Sequence, residues 1–224
     1  MGVLKGWFGE KMASVGMWAF LDSRVYLRIH DLIVPTRSGT TQIDHILVSC
    51  YGIFVVETKN YNGWIFGDPK QARWTQVLYG KKHSFQNPLR QNYRHIKCLS
   101  ECLGLSENYF HSIIFFIGDA VFKTSMPPNV VNERLARHIG SYRELMLSSD
   151  EVSSVYRRLQ ELKATPTLTR STHMNSLKAR HKSNTTCPNC GAPLVTRTAR
   201  RGANAGNQFL GCSQYPKCRF TRTL

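Results

Sequence analysis

The chain has 224 residues, 42% hydrophobic and 11% aromatic, enough apolar material for one ordinary core and a small second module that needs help to fold. Thirty Lys and Arg against fourteen Asp and Glu give a net charge of +16 and a pI near 9.9; so basic a chain is drawn to polyanions, because neutralising phosphates releases their counterions. No run of about eighteen apolar residues exists to form a membrane span, and Lys5, Glu10 and Lys11 interrupt the start of the chain where a signal peptide would be continuously apolar. The expectation is a cytoplasmic protein with no membrane partner, whose seven cysteines are metal ligands and buried thiols, not disulfides.

Phe8, Met12, Val15, Trp18 and Ala19 recur at helical spacing and predict a helix over 8–21. Residues 25–34 read as a strand that Pro35 and the Thr36-Arg37-Ser38-Gly39 turn end. Strands follow over 42–49 and 53–59, joined tightly at Tyr51-Gly52, with the second a nearly continuous apolar run as in a central strand. Residues 64–66 and 74–78 read as short strands of a hairpin or meander. Asn87-Pro88 opens a long helix with Leu89, Tyr93, Ile96, Leu99, Cys102 and Leu103 on one stripe. Residues 112–117 form a buried strand, and 132–139 and 150–163 closing helices. Residues 164–186, rich in Thr, Ser, Asn, Lys and Arg, have the composition of a linker. The expected organisation is thus a domain over 1–163, a basic linker over 164–186 and a second module over 187–224.

No acidic residue follows Glu161, so the last part of the chain carries charge of one sign, suited to tracking a phosphate backbone. Within it, Cys187-Pro-Asn-Cys190-Gly is followed by Cys212 and Cys218. Two thiolates on a tight turn, completed by a second pair, form the closed tetrahedral cage of a structural Zn²⁺ site. A module this small relies on the metal for its stability. The stretch Phe209-Leu-Gly-Cys212-Ser-Gln-Tyr215-Pro216-Lys-Cys218 resembles the C-terminal zinc finger of bacterial type IA topoisomerases. The resemblance implies binding of DNA, chiefly single-stranded. Arg197, Arg200, Arg201, Lys217 and Arg219 are candidates to meet phosphates, and Tyr215 and Phe220 to stack on bases. Packing in the ribbon's own core is the competing reading for the aromatics, Phe209 included.

The other informative stretch is Gln42-Ile-Asp44-His45, followed by Gly52-Ile-Phe-Val-Val-Glu57-Thr-Lys59-Asn60. Residues two apart on a strand share a face, so Glu57 and Lys59 point the same way. Pairing through the Tyr51-Gly52 turn sets Asp44 close to opposite Glu57. Carboxylates so placed hold Mg²⁺ with positions left for water and a phosphate oxygen, and the ion lowers the pKa of the attacking water. A neighbouring lysine stabilises developing charge. By spacing alone, an exposed salt-bridged strand end is the favoured reading. Together with Gly63-Trp64-Ile, Gly67, Trp74 and Phe85-Gln-Asn87-Pro88-Leu-Arg-Gln91-Asn, the segment resembles the nuclease-related domain, NERD, of the PD-(D/E)xK nuclease superfamily. The resemblance implies an α/β fold, a restriction-endonuclease-like mixed sheet flanked by helices. It assigns catalysis to Asp44, Glu57 and Lys59, with Glu10 as an auxiliary ligand or base and Gln91 as a positioning residue.

The sequence reading is therefore a DNA nuclease dependent on Mg²⁺ or Mn²⁺, anchored by a ribbon holding structural Zn²⁺. Two alternatives stand beside it: a DNA-binding or recruitment protein that keeps the fold without cutting, and an enzyme acting on RNA. Alternation turns His45 away from Asp44, which favours a structural role. Arg90 and Arg94 are either phosphate contacts or a solvated helix face. Trp64 and Trp74 read as packing residues, and Cys50, Cys98 and Cys102 as buried thiols.

Overall fold

A computed structural model describes residues 20–36 and 39–224. The helix expected over 8–21, and Glu10 with it, lies almost wholly outside the described residues. The strands are β1 (Leu27–Thr36), β2 (Gly39–Ser49), β3 (Gly52–Asn60), β4 (Gly63–Phe66), β5 (Arg73–Leu78), β6 (Lys81–Gln86), β7 (Phe110–Ile117), β8 (Ala120–Phe122) and β9 (Val130–Val131). The helices of this part are α1 (Pro88–Leu103), α2 (Leu135–Gly140) and α3 (Ser149–Lys163). The fold is mixed α/β. One sheet runs β1-β2-β3-β7-β9 and a second runs β6-β5-β4-β8.

β2 and β3 pair antiparallel around the Tyr51-Gly52 turn, while β3, β7 and β9 run parallel. Gly52 has φ +114, and a Cβ there would come within 2.8 Å of His111 Nε2; only glycine fits both the angle and the space. β3 is buried from Gly52 to Glu57, as a central strand must be. Alternation splits the core. Leu47, Phe54, Val56, Ile113 and Phe115 join Leu135 and Ile139 of α2, whereas Ile114 and Phe116 join Ile65 and Trp74 of the second sheet.

Asn87 caps α1, its side chain accepting from the Leu89 N–H, and its Nδ2 donates to the Gln71 carbonyl at 2.7 Å. Asn92, fully buried, docks the helix on the first sheet: Nδ2 donates to the Val55 carbonyl at 2.8 Å and to Ser112 Oγ at 2.9 Å. The buried amide nitrogen, donating to both neighbouring strands, fixes the helix both along and around its axis.

Several elements differ from the sequence reading. Strand β6 was not expected. The helix expected over 132–139 begins only at Leu135, because Arg134 has φ +53, a conformation no helix continues. Trp74 packs as expected, but Trp64 is half exposed. Cys50, Cys98 and Cys102, expected as buried thiols, are half-buried.

The chain forms two compact units: Ile43–Ala164 with the described residues up to Leu32, and Thr165–Leu224 with Ile33–Gln42. The second unit holds α4 (Arg170–Lys182), inside the stretch expected as linker. Its contacts are polar. Thr40 donates its N–H to Ser176 Oγ at 3.1 Å and receives Arg180 Nη2 on its carbonyl at 2.8 Å. Strands β10 (Leu194–Thr198), β11 (Gln208–Cys212) and β12 (Thr221–Thr223) complete this unit as an antiparallel sheet.

Candidate functional sites: a carboxylate pair and a four-cysteine ribbon

The β2–β3 ladder runs to His45↔Val56, so the next step of the register sets Asp44 against Glu57. There the Asp44 side chain takes over from the ladder. Its Oδ2 accepts the Thr58 N–H at 2.9 Å and the Thr58 hydroxyl at 2.8 Å. Both bonds fall on one oxygen, and among the described residues none falls on Oδ1. Burial, then the charge of Glu57, pushes the Asp44 carboxyl up from its ordinary value.

Glu57 is 3% exposed, a costly place for a carboxylate unless partners surround it. Lys59 Nζ donates to its Oε1 at 2.6 Å, Gln91 Nε2 donates to the same oxygen at 2.7 Å, and His95 Nε2 faces Oε2 at 3.2 Å. Burial pushes the Glu57 carboxyl up, but the bond from His95 and the charge of Lys59 outweigh it, and the net direction is down. Lys59 also donates to Gln91 Oε1 at 3.1 Å. The fold thus brings together four of the five residues singled out for catalysis, and the fifth, Glu10, is not described.

His95 was missed by the sequence reading. Its signal was its place four residues after Gln91, which puts both on one helical face. His45 meets His30 at 2.8 Å between Nδ1 atoms; burial, then the charge of His30, pushes it down to about 4.

In the ribbon the four sulfurs of Cys187, Cys190, Cys212 and Cys218 lie within 4.8 Å of one another. Among the described residues this is the one cluster of three or more candidate metal ligands. Two thiols are buried and two half-buried, with Leu194, Leu210 and Phe220 around them. Four sulfurs on two turns have the donor set and closeness of a structural Zn²⁺ site. Burial pushes the Cys190 thiol up, and Cys218 to about 11, so metal binding displaces protons.

The ribbon's sheet has a second face. Arg197 pairs with Phe209, and Val195 with Gly211. A Cβ on Gly211 would meet Arg197 Cδ at 2.8 Å, so the missing side chain lets the arginine lie across the sheet. Arg197 and Tyr215 come together in a cation–π contact at 5.7 Å. With Arg200, Phe209, Arg219 and Phe220 they line a cavity of about 650 Å³. Tyr215 is 59% exposed and so is no core residue. Phe220 packs partly on the thiol cluster, with Arg222 over its ring at 5.7 Å. Arg197, Arg200, Arg201, Lys217 and Arg219 are all exposed.

Comparison with known proteins finds a family for each part of the chain. The family profile of the nuclease-related domain (NERD) matches residues 5–117, and that of the topoisomerase DNA binding C4 zinc finger matches residues 184–224. An uncharacterized protein of Bacillus anthracis is 41% identical over 160 residues, covering 68% of this chain and 74% of that one. Two further likenesses are short. One is to the uncharacterized protein YrdD of Escherichia coli, 49% identical over 43 residues, 19% of this chain and 21% of YrdD. The other is to DNA topoisomerase 1 of Archaeoglobus fulgidus, 50% identical over 38 residues, 17% of this chain and 5% of the topoisomerase. No solved structure matches. No helix among the described residues is long and apolar enough to cross a membrane.

Proposed function

As the chain belongs to the nuclease-related domain family, we propose that it is a metal-dependent nuclease that hydrolyses phosphodiester bonds in DNA, held on its substrate by the zinc ribbon. The observation that carries this reading is the convergence of Asp44, Glu57, Lys59 and Gln91 at one end of the β2–β3 ladder. Asp44 and Glu57 would hold Mg²⁺. The donor set suits the ion: two hard carboxylates, one with an oxygen free of hydrogen bonds, leave coordination positions for water and phosphate. When bound, the ion would polarise the phosphate and acidify the attacking water.

The chain's own residues do the rest. Thr58 fixes Asp44 by two bonds to a single oxygen, so that the other oxygen, Oδ1, would be the one offered to a metal ion. Lys59, held between Glu57 and Gln91, places a positive charge where the phosphorane charge develops. Glu10 is assigned as an auxiliary ligand or base. In the ribbon, Tyr215 and Phe220 stack on bases, while Arg197, Arg200, Arg201, Lys217 and Arg219 meet phosphates.

Cleavage of labelled single- and double-stranded DNA with added Mg²⁺, wild type beside Glu57→Ala, tests the assignment. Cutting by wild type alone, with DNA affinity unchanged by the substitution, supports it. A variant that cuts as wild type overturns it. A second reading, DNA binding or recruitment without cutting, is favoured by one observation: both Glu57 oxygens already have protein partners. DNA bound by wild type but never cut, with Mg²⁺ or Mn²⁺, is its signature. Competition between DNA and RNA at fixed salt tests the assignment of DNA as substrate.

A further inference from the structure

The second sheet, β6-β5-β4-β8, uses only one of its faces for the core. Ile65, Trp74, Gln76 and Ala120 turn inward and are buried. Their neighbours turn outward. In register, Val121, Trp64, Val77 and Lys82 form one row across the four strands, and Phe66 and Thr75 begin the next. Trp64 is 50% exposed and Phe66 36%, large aromatic area to leave in water at adjacent strand positions. The face is also basic. Lys123 holds its Nζ 4.7 Å from the centre of the Trp64 ring. Lys82 is exposed, and so is Arg73, whose guanidinium is ordered by two bonds to Ser84 at 2.8 Å. No carboxylate occupies an outward position on the four strands.

We propose that this outer face is a second binding site for single-stranded DNA, on the nuclease-related domain and separate from the ribbon. Trp64 and Phe66 stack on successive bases, and Lys82, Lys123 and Arg73 meet the phosphates between them. Stacking on a flat aromatic accepts any base, and flanking cations follow the backbone. Charge complementarity selects the occupant: aromatics flanked by Lys82, Lys123 and Arg73, with no carboxylate on the four strands, on a chain of net charge +16, fit a polyanion with π faces. The position is also apt. β3 ends at Asn60 and β4 begins at Gly63, so the Lys59 and Trp64 Cα atoms are at most about 18 Å apart. The aromatic face and the carboxylate pair thus sit on consecutive strands of the chain. The proposal rests on the DNA-binding part of the reading above and not on cutting.

The test uses the full chain and a fluorescein-labelled oligothymidylate in Mg²⁺-free buffer, read by anisotropy over a salt series. Trp64→Ala is expected to weaken binding about tenfold, and Trp64→Phe to restore most of it. Lys82→Gln with Lys123→Gln is expected to flatten the slope of log affinity against log salt by roughly 0.7 per lysine. That arm decides the matter if near-ultraviolet circular dichroism shows Trp64→Ala misfolded. Tyr215→Ala serves as the ribbon control. Affinity that responds to Tyr215→Ala, yet stays at the wild-type value in the Trp64 and lysine variants, overturns the second site and leaves the DNA reading standing. A Trp64→Ala variant that changes only the sedimentation coefficient also overturns it, assigning the face to a second copy of the chain. Wild type that fails to bind the oligonucleotide overturns the DNA reading itself.

Discussion

Replacing Lys59 by methionine separates the electrostatic role of this side chain from its packing, because the aliphatic stem is kept and the ammonium lost. In the native protein the Lys59 Nζ is 2.6 Å from a Glu57 oxygen, with the two side chains 17% and 3% exposed. Removing one partner of a fully buried ion pair costs about 3–5 kcal/mol. Gln91 and His95 still hold Glu57 in the variant, which brings the expected loss to about 2–3 kcal/mol, or about 1 M in the urea midpoint. The loss depends on pH with a defined sign. Although burial pushes the Glu57 carboxyl up, His95 and Lys59 bring it below its ordinary range. A carboxyl depressed on folding contributes stability above its unfolded pKa, about 4.3, and loses it as pH falls through the folded value. Lys59→Met removes one of the two groups that oppose burial. The gap between variant and wild type is therefore widest at neutral pH and narrows below about pH 4. Urea unfolding in Mg²⁺-free buffer, followed by tryptophan fluorescence, measures it cleanly. Trp7, Trp18, Trp64 and Trp74 all lie far from the ribbon in sequence, so the signal comes from the nuclease-related part of the chain. Equal midpoints at pH 7, or a gap that widens toward pH 4, would refute the reasoning.

Asp44→Asn has the opposite sign. Burial and the Glu57 charge hold Asp44 above its ordinary value, so its ionisation opposes folding at neutral pH. The amide oxygen still accepts from Thr58, and thermal scans without metal should show a midpoint higher by a few degrees in a variant that no longer cuts; a lower midpoint would sink this account. Removing zinc with a selective chelator, or substituting Cys190→Ser, should weaken single-stranded DNA binding at least about tenfold and leave the tryptophan-monitored urea transition unmoved. A shift of that transition would mean that the nuclease-related part needs the metal. Gly52→Ala would place a Cβ 2.8 Å from His111 Nε2 and 3.0 Å from the Tyr109 carbonyl at φ +114, and should cost about 1–3 kcal/mol. Because the turn sets the register of Asp44 against Glu57, cutting should fall with it; stability lost with cutting unchanged would show that the register tolerates the turn's distortion.

What was legible in the sequence was legible because the chemistry is local. Glu57 and Lys59 sit two apart on a strand, and Cys187 and Cys190 three apart on a turn, so their meeting follows from backbone geometry alone. The central strands were readable for the same reason, since burial on both faces leaves an apolar run. Strand β6, Lys-Lys-His-Ser-Phe-Gln, exposes all but Phe85 and is defined by its ladder to β5, which leaves no hydrophobic period to read. Helix α4 has no apolar stripe. Polar bonds from Ser176 and Arg180 to Thr40 tie it to a segment more than 130 residues earlier in the chain, and composition alone presents such a stretch as linker.

The carboxylate site is completed by the same kind of long-range placement. Gln91 and His95 reach Glu57 from 34 and 38 residues away, and what brings them there is the amide of Asn92, anchored to the Val55 carbonyl of the strand that carries Glu57. Gln91 and His95 are one helical turn apart, so a rotation of α1 by a single residue, about 100°, would take both from the carboxylate. Glu57 would then remain buried with Lys59 alone, and burial would push its carboxyl up against fewer opposing groups. The ionised carboxylate that the proposed metal site requires thus depends on the register of α1, which Asn92 and the buried face of the helix hold, and this ties the proposed chemistry of the strand pair to the packing of the domain core.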